Sequence, residues 1–150
     1  MHETLLAHLR RVLDGEGIDG ALAFLNARVP HRFTAIFRLQ GQTLRLIHFH
    51  DKAGGPPLEV ARSVPLDMSL CQFALRQGSF VTADAPSNEK SKDSAMSLVM
   101  RSYVGLPLQG PAGQLIGTFC HFDTSSQELP EGEFEFLQAA VRLLPGYLAA

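Results

Sequence analysis

The sequence predicts an α+β domain in which an antiparallel sheet is flanked by helices from both ends of the chain. Apolar residues recur at helical spacing near both ends, they alternate at period two in the interior, and a polar stretch interrupts that alternation. The 150 residues are enough for one domain, in which folding buries roughly 68–70% of the surface exposed by the unfolded chain. With 45% hydrophobic and 19% charged residues, the composition is that of a globular chain rather than a disordered one. Thirteen basic side chains against fifteen acidic ones give a net charge of −2, which supplies no field for nucleic acid or anionic lipid. No apolar run approaches a membrane span, and the start of the chain lacks the pattern of a signal peptide. Two cysteines outside any CxxC spacing fit reduced thiols in the cytoplasm.

The elements follow in order. Leu5, Leu6, Leu9, Val12 and Leu13 form one helical stripe, which Gly15 and Gly17 are expected to stop. A second helix runs from about Asp19 through Ala21, Leu22, Leu25 and Val29 and must end before Pro30. Phe33, Ala35, Phe37 and Leu39 then alternate as a strand. A reversal at Gln40-Gly41-Gln42 leads to its partner, Leu44 to His50. After Gly54-Gly55-Pro56-Pro57, residues 58–66 read as a third, weaker strand. Ser69 is placed to cap a short helix through Gln77, with Gly78 ending it. Phe80-Val81-Thr82 is a short strand. Residues 84–97 are rich in Ser, Lys, Asp, Asn and Pro and are expected to form a solvated, mobile loop.

The strongest hairpin comes next, Ser102–Leu108 and Gln114–Asp123 around Gly110-Pro111-Ala112-Gly113. Pro107 has no amide hydrogen and needs an edge, a bulge or an outward-facing nitrogen. The last helix opens at Pro130-Glu131-Gly132-Glu133 and carries Phe134, Leu137, Val141 and Leu144 on one face, before Pro145-Gly146. Helices that are not adjacent in the chain must share one sheet face. The other face falls to residues 51–100, whose second half is too polar to seal it, so a pocket is expected there.

Arg101-Ser102-Tyr103-Val104-Gly105-Leu106-Pro107-Leu108, with Gly113-Gln114-Leu115-Ile116-Gly117-Thr118-Phe119-Cys120-His121-Phe122-Asp123, resembles the closing hairpin of GAF domains. The passage Val64-Pro65-Leu66-Asp67-Met68-Ser69-Leu70-Cys71 is similar to the strand-to-helix step of bacterial members. The resemblance covers about 17–149 and implies a GAF/PAS-like fold. That fold has a six-stranded antiparallel sheet, terminal helices on one face, a pocket-covering segment on the other, and frequent dimerisation through the terminal helices. The expected organisation is a single free-standing GAF domain over 1–150, with an N-terminal helix at 1–16 and the core at 17–149.

The resemblance also frames the chemistry. One GAF branch, the free methionine-(R)-sulfoxide reductases, uses three cysteines. Its first lies where this chain has Ala61, its second at Cys71, and its third in the loop near 94–97, where this chain has none. That branch clamps substrate ammonium with acids at positions held here by Tyr103, Cys120 and Phe122. On that comparison Cys71 stands as a lone thiol without a resolving partner, and no catalysis is expected. Bilin attachment at Cys120-His121 fails on strand geometry, because neighbours on a strand point to opposite faces. The Asn-Lys…Phe…Asp-Glu pattern of cyclic-nucleotide binders is not met by Asn88-Glu89-Lys90 or Phe122-Asp123. His48 and His50 share a strand face but lack further ligands, so no metal site or other cofactor is expected.

Alternation along the last strand groups Thr118, Cys120 and Phe122 on one side and Phe119 and His121 on the other. By the resemblance, the first set faces a ligand together with Tyr103, Gly105, Phe33, Phe37 and Cys71, with Asp84 as the charged contact at the entrance. The expected function is a non-catalytic sensor or regulatory domain that binds an unidentified small molecule. It would act in the cytoplasm as a homodimer or with a separate signalling protein, without nucleic acid or membrane. The alternatives are a protein-interaction module whose pocket is filled by its own aromatics, and a thiol redox enzyme using Cys71.

Overall fold

Glycine and proline divide the chain where its periodicity changes. The computed structural model describes residues 2–148, and the expected limits at 1, 149 and 150 lie outside them. Helix α1 (His2–Asn26) contains both expected helical stripes, broken at Gly17, whose φ of 72° and ψ of −164° are not helical. Gly15 remains inside the first segment. Strands β1 (Phe33–Gln40) and β2 (Thr43–Asp51) form the expected hairpin, with an irregularity in their register between Ile36 and Phe37.

Residues 58–66 depart from the expected strand. They form a 3-10 turn (Glu59–Ala61) and a three-residue strand β3 (Ser63–Pro65) that pairs only with Thr43, Leu44 and Arg45. Pro56, Pro57 and Pro65 cannot donate to a ladder, which confines pairing to a short edge. Helix α2 (Cys71–Gln77) starts two residues after Ser69, whose hydroxyl nevertheless accepts from the Gln72 amide at 3.1 Å, as a cap should.

Strand β4 (Phe80–Thr82) pairs only with Tyr103–Gly105 of β5 (Ser102–Gln109), so Pro107 lies beyond its reach, on an edge. Strand β6 (Leu115–Asp123) sits between β5 and β1. The sheet order is β3-β2-β1-β6-β5-β4, and every pairing is antiparallel. Helix α3 (Glu133–Ala140) is shorter than expected, since Val141 to Leu144 continue as turns. Its buried face holds Phe136, Leu137 and Ala140, whereas Phe134 is only half-buried.

The sheet separates two cores. One packs Leu9, Leu13, Leu22 and Leu25 of α1 and Phe136 and Leu137 of α3 against Ile36, Val104, Leu106 and Phe119. Arg28 fastens the two helical elements by donating from Nε and Nη2 to the Glu133 carboxylate, at 3.0 and 2.9 Å. The second core lies on the opposite face, under residues 58–100, and contains Phe33, Phe37, Tyr103, Cys120 and Phe122.

The segment at 84–97 is not the solvated loop its composition suggests. It folds into 3-10 turns at Ala85–Ser87 and Ala95–Leu98 and buries Ala85, Ser91, Met96 and Ser97. The serines account for the difference. Ser91 Oγ donates to the Ala85 carbonyl at 2.8 Å and Ser94 Oγ to the Met68 carbonyl at 2.7 Å, which frees the apolar neighbours to pack inward.

Candidate functional site

The middle of the covered sheet face gathers four polar or thiol side chains within an apolar layer. Cys71 enters from the first turn of α2, Tyr103 from β5, and Thr118 and Cys120 from β6. Tyr103 Oη donates to Cys71 Sγ at 3.0 Å, and Thr118 Oγ1 donates to the same sulfur at 3.2 Å. Cys120 is a third neighbour, two residues from Thr118 on the same side of β6 and opposite Gly105 in the ladder, and both cysteines are free and buried.

Two hydroxyl donors and a neighbouring thiol around one sulfur set the electrostatics. Burial alone would raise the Cys71 pKa, but the bonds from Cys120, Thr118 and Tyr103 outweigh it and hold the thiol below its usual value. Cys120 moves the other way, pushed well up by burial and by its bond to Cys71. The Tyr103 phenol is likewise held protonated, by burial first and by the neighbouring sulfurs. The outcome is asymmetric: Cys71 gives up its proton more readily than an ordinary thiol, and its partners stay protonated.

Of the expected binding residues, Phe37 and Cys71 line the remaining space beside the cluster, together with Leu44, Val64, Ser69, Leu70, Met96 and Met100. That space is too narrow to hold a water molecule, so the side chains around it fill the face. Phe33 and Phe122 lie on the same face but spend their rings on each other, 5.1 Å apart, with Phe49 stacked at 5.5 Å on Phe33. Gly105 lies directly beneath the Tyr103 ring. A Cβ there would meet Tyr103 Oη at 2.2 Å, so the glycine makes room for the phenol that reaches Cys71. Asp84 does not enter the layer. It pairs with Arg101 Nε at 2.9 Å and accepts from Ser87 Oγ at 2.6 Å at the rim.

Sequence reasoning missed Met96 and Met100, although their spacing of four and their place in a polar stretch mark them as an inward pair. It also missed the meeting of Cys71 with Cys120, which depends on where α2 lands on the sheet. On the opposite face, His121 Nδ1 lies 2.6 Å from Thr34 Oγ1, and its ring lies 6.0 Å from that of His31. Among the described residues no group of three His, Cys, Asp or Glu could hold a metal, and His48 contacts Asp19 at 3.2 Å. A larger groove of about 470 Å³ runs between Leu106–Gly110 and the end of the helical layer at Gln138–Arg142, away from the cysteines.

No protein-family model matches the chain, and no curated protein does. Solved structures do. The GAF domain of an Acinetobacter phosphoenolpyruvate-protein phosphotransferase superposes with a TM-score of 0.76 at 16% identity, over 98% of this chain and 92% of that one. The fold is that of GAF domains. The phycocyanobilin-bound GAF domain of a cyanobacterial phytochrome matches with a TM-score of 0.72 at 14% identity, over 96% of this chain and 91% of that one. Free methionine-R-sulfoxide reductase from Neisseria meningitidis, in complex with its substrate, matches with a TM-score of 0.74 at 18% identity, over 97% and 87%.

That last likeness corrects the expectation that the chain is no enzyme. The same GAF-like scaffold serves free methionine-R-sulfoxide reductases, so a plain exclusion of catalysis does not stand. One premise of the exclusion fails as well, because Cys71 is not a lone thiol but has Cys120 beside it, although the acids of that branch's clamp are absent. No helix among the described residues is long and apolar enough to cross a membrane.

Proposed function

We propose that this chain is a ligand-responsive regulatory domain whose site is the sheet face around Cys71, and that the site opens when residues 84–100 move. The observation that carries this reading is the convergence of Cys71, Tyr103, Thr118 and Cys120 at the centre of an apolar layer capped by two methionines. A purely structural core gains little from four such groups, whereas a binding site needs a few polar groups among apolar walls. Methionine side chains are flexible plugs that repack at low cost, which suits a cover that must yield. With no carboxylate, lysine or arginine side chain in the layer, the ligand class is small and uncharged, and planar or apolar in body.

The signal would pass through the sheet to the terminal helices, and from there to a second copy of the chain or to a separate signalling protein. The cytoplasm is the compartment that keeps both thiols reduced. The closed volume favours a second reading, in which the aromatic and methionine side chains fill the face permanently and the domain serves as a protein-interaction module.

Native mass spectrometry of the protein purified from its own host separates the two. The sensor reading predicts a mass above that of the bare chain, with the excess lost on denaturation. A bare mass, together with residues 84–100 as protected from hydrogen exchange as the central strands, overturns it and supports the second.

A further inference from the structure

We propose that Cys71 and Cys120 form a redox couple, oxidised by a small hydroperoxide to an intramolecular disulfide that staples α2 to the central strand β6. This goes beyond the ligand reading and does not depend on it. The geometry supplies the requirements. Cys71 Sγ touches Thr118 Oγ1, two residues from Cys120 on the same side of β6, and Tyr103 Oη, which lies against Gly105 directly opposite Cys120, so the two buried thiols are neighbours inside the sheet-face core. Cys71 Sγ also receives the Tyr103 and Thr118 hydroxyls at 3.0 and 3.2 Å, so negative charge on that sulfur is stabilised without a cation. Cys120 stays protonated next to it, which is the state of a partner that waits for an oxidised neighbour.

The chemistry balances in two steps. The Cys71 thiolate attacks one oxygen of the hydroperoxide. An S–O bond forms, the O–O bond breaks, and the remaining alkoxide takes a proton and leaves as alcohol (water, for hydrogen peroxide). Cys71 is now a sulfenic acid, oxidised by two electrons while the peroxide is reduced. The Cys120 sulfur then attacks the Cys71 sulfur, an S–S bond forms, and hydroxide leaves with the Cys120 proton as water. A dithiol reductant returns both thiols by exchange. Because Met96 and Met100 close the site from above, only a small oxidant reaches Cys71, and the methionines are the competing targets.

The test uses the folded, fully reduced full-length chain and equimolar hydrogen peroxide, followed by denaturation, thiol alkylation and intact-mass measurement. The expected result is a mass lower by two hydrogens, no alkylation at either cysteine, a 71–120 cross-linked peptide, and recovery of two alkylated thiols after dithiothreitol. The Cys120→Ser variant should instead accumulate a sulfenic acid at Cys71 that a dimedone-type probe traps. Two alkylated cysteines with oxygen added only at methionine would overturn the couple, and so would a disulfide between two chains. If Cys120→Ser fails to fold, Thr118→Val serves in its place: slower Cys71 oxidation with unchanged near-ultraviolet circular dichroism supports the proposal, and an unchanged rate contradicts it.

Discussion

Gly105 has no side chain, yet it sets the position of the Tyr103 hydroxyl. Its place opposite Cys120 and Phe80 in the ladders leaves the space that the Tyr103 ring occupies. The Gly105→Ala substitution should therefore cost about 1–3 kcal/mol by overpacking, read as a lower urea midpoint. It should also raise the rate at which Cys71 is alkylated, since the displaced phenol no longer shields that sulfur. An unchanged midpoint would show that the ring has room to move. On the helix side, the buried imidazoles predict a pH dependence. Burial lowers the His31 pKa from 6.5 to about 4, and His121 lies well below its usual value for the same reason. Lys52, above the same cluster, donates from Nζ to Asn26 Oδ1 at 2.9 Å, Asn26 Nδ2 donates to Thr34 Oγ1 at 2.8 Å, and Asp123 faces His31 with an opposing charge. Between pH 6.5 and about 4 the unfolded chain binds protons that the folded chain refuses. Stability is thus full above pH 6.5 and declines as pH falls through that window, by about 1.4 kcal/mol per unit for each histidine that protonates only on unfolding. Urea midpoints at several pH values check this, and a flat profile above pH 4 would contradict it. None of this was legible from the histidines themselves, which show no spacing pattern. It depends on β1 and β6 being neighbours.

At the level of elements, helices and strands were legible where periodicity was long and uninterrupted, and not where three or four residues decide. The break in α1 was marked by two glycines, but only one of them serves as the break. Gly17 adopts φ 72°, ψ −164°, a region essentially closed to other residues, whereas Gly15 is helical with open space around it. Gly17→Ala should cost about 1–3 kcal/mol, and Gly15→Ala should stabilise by about 0.5–1 kcal/mol, both read from thermal midpoints. Equal effects from the two would place the break elsewhere. The short edge strand β3 escaped a reading that expected residues 58–66 to be extended, because apolar composition survives in a 3-10 turn. The end of α3 was misplaced for a related reason. Val141 and Leu144 keep helical spacing while the backbone loosens into turns, so the buried stripe outlasts the regular helix.

Across the whole molecule, the two-sided character of the sheet was legible, because strand alternation assigns each residue to a face whatever covers it. Phe119 and His121 lie with the helical layer, and Cys120 and Phe122 lie under residues 58–100, as their parity requires. The filling of the covered face was not legible. It depends on how Met96, Met100, Leu70 and Val64 interlock across segments distant in sequence, and side-chain volume carries no periodic signal. The cover is fastened by turn hydrogen bonds and a few side-chain ties, among them Ala85 N to the Arg101 carbonyl at 2.6 Å and Ser94 Oγ to the Met68 carbonyl. It has no strand pairing of its own between 83 and 101. Such a segment should open at a lower free energy than the sheet beneath it.

Native-state hydrogen exchange of the intact chain in increasing sub-denaturing urea measures that difference directly. Amides of residues 85–100 are predicted to exchange through a local opening with little urea dependence, while those of β1, β5 and β6 exchange only with global unfolding. If the cover exchanges with the same free energy and the same urea dependence as the central strands, the sheet face does not open in the folded protein and cannot be a responsive site.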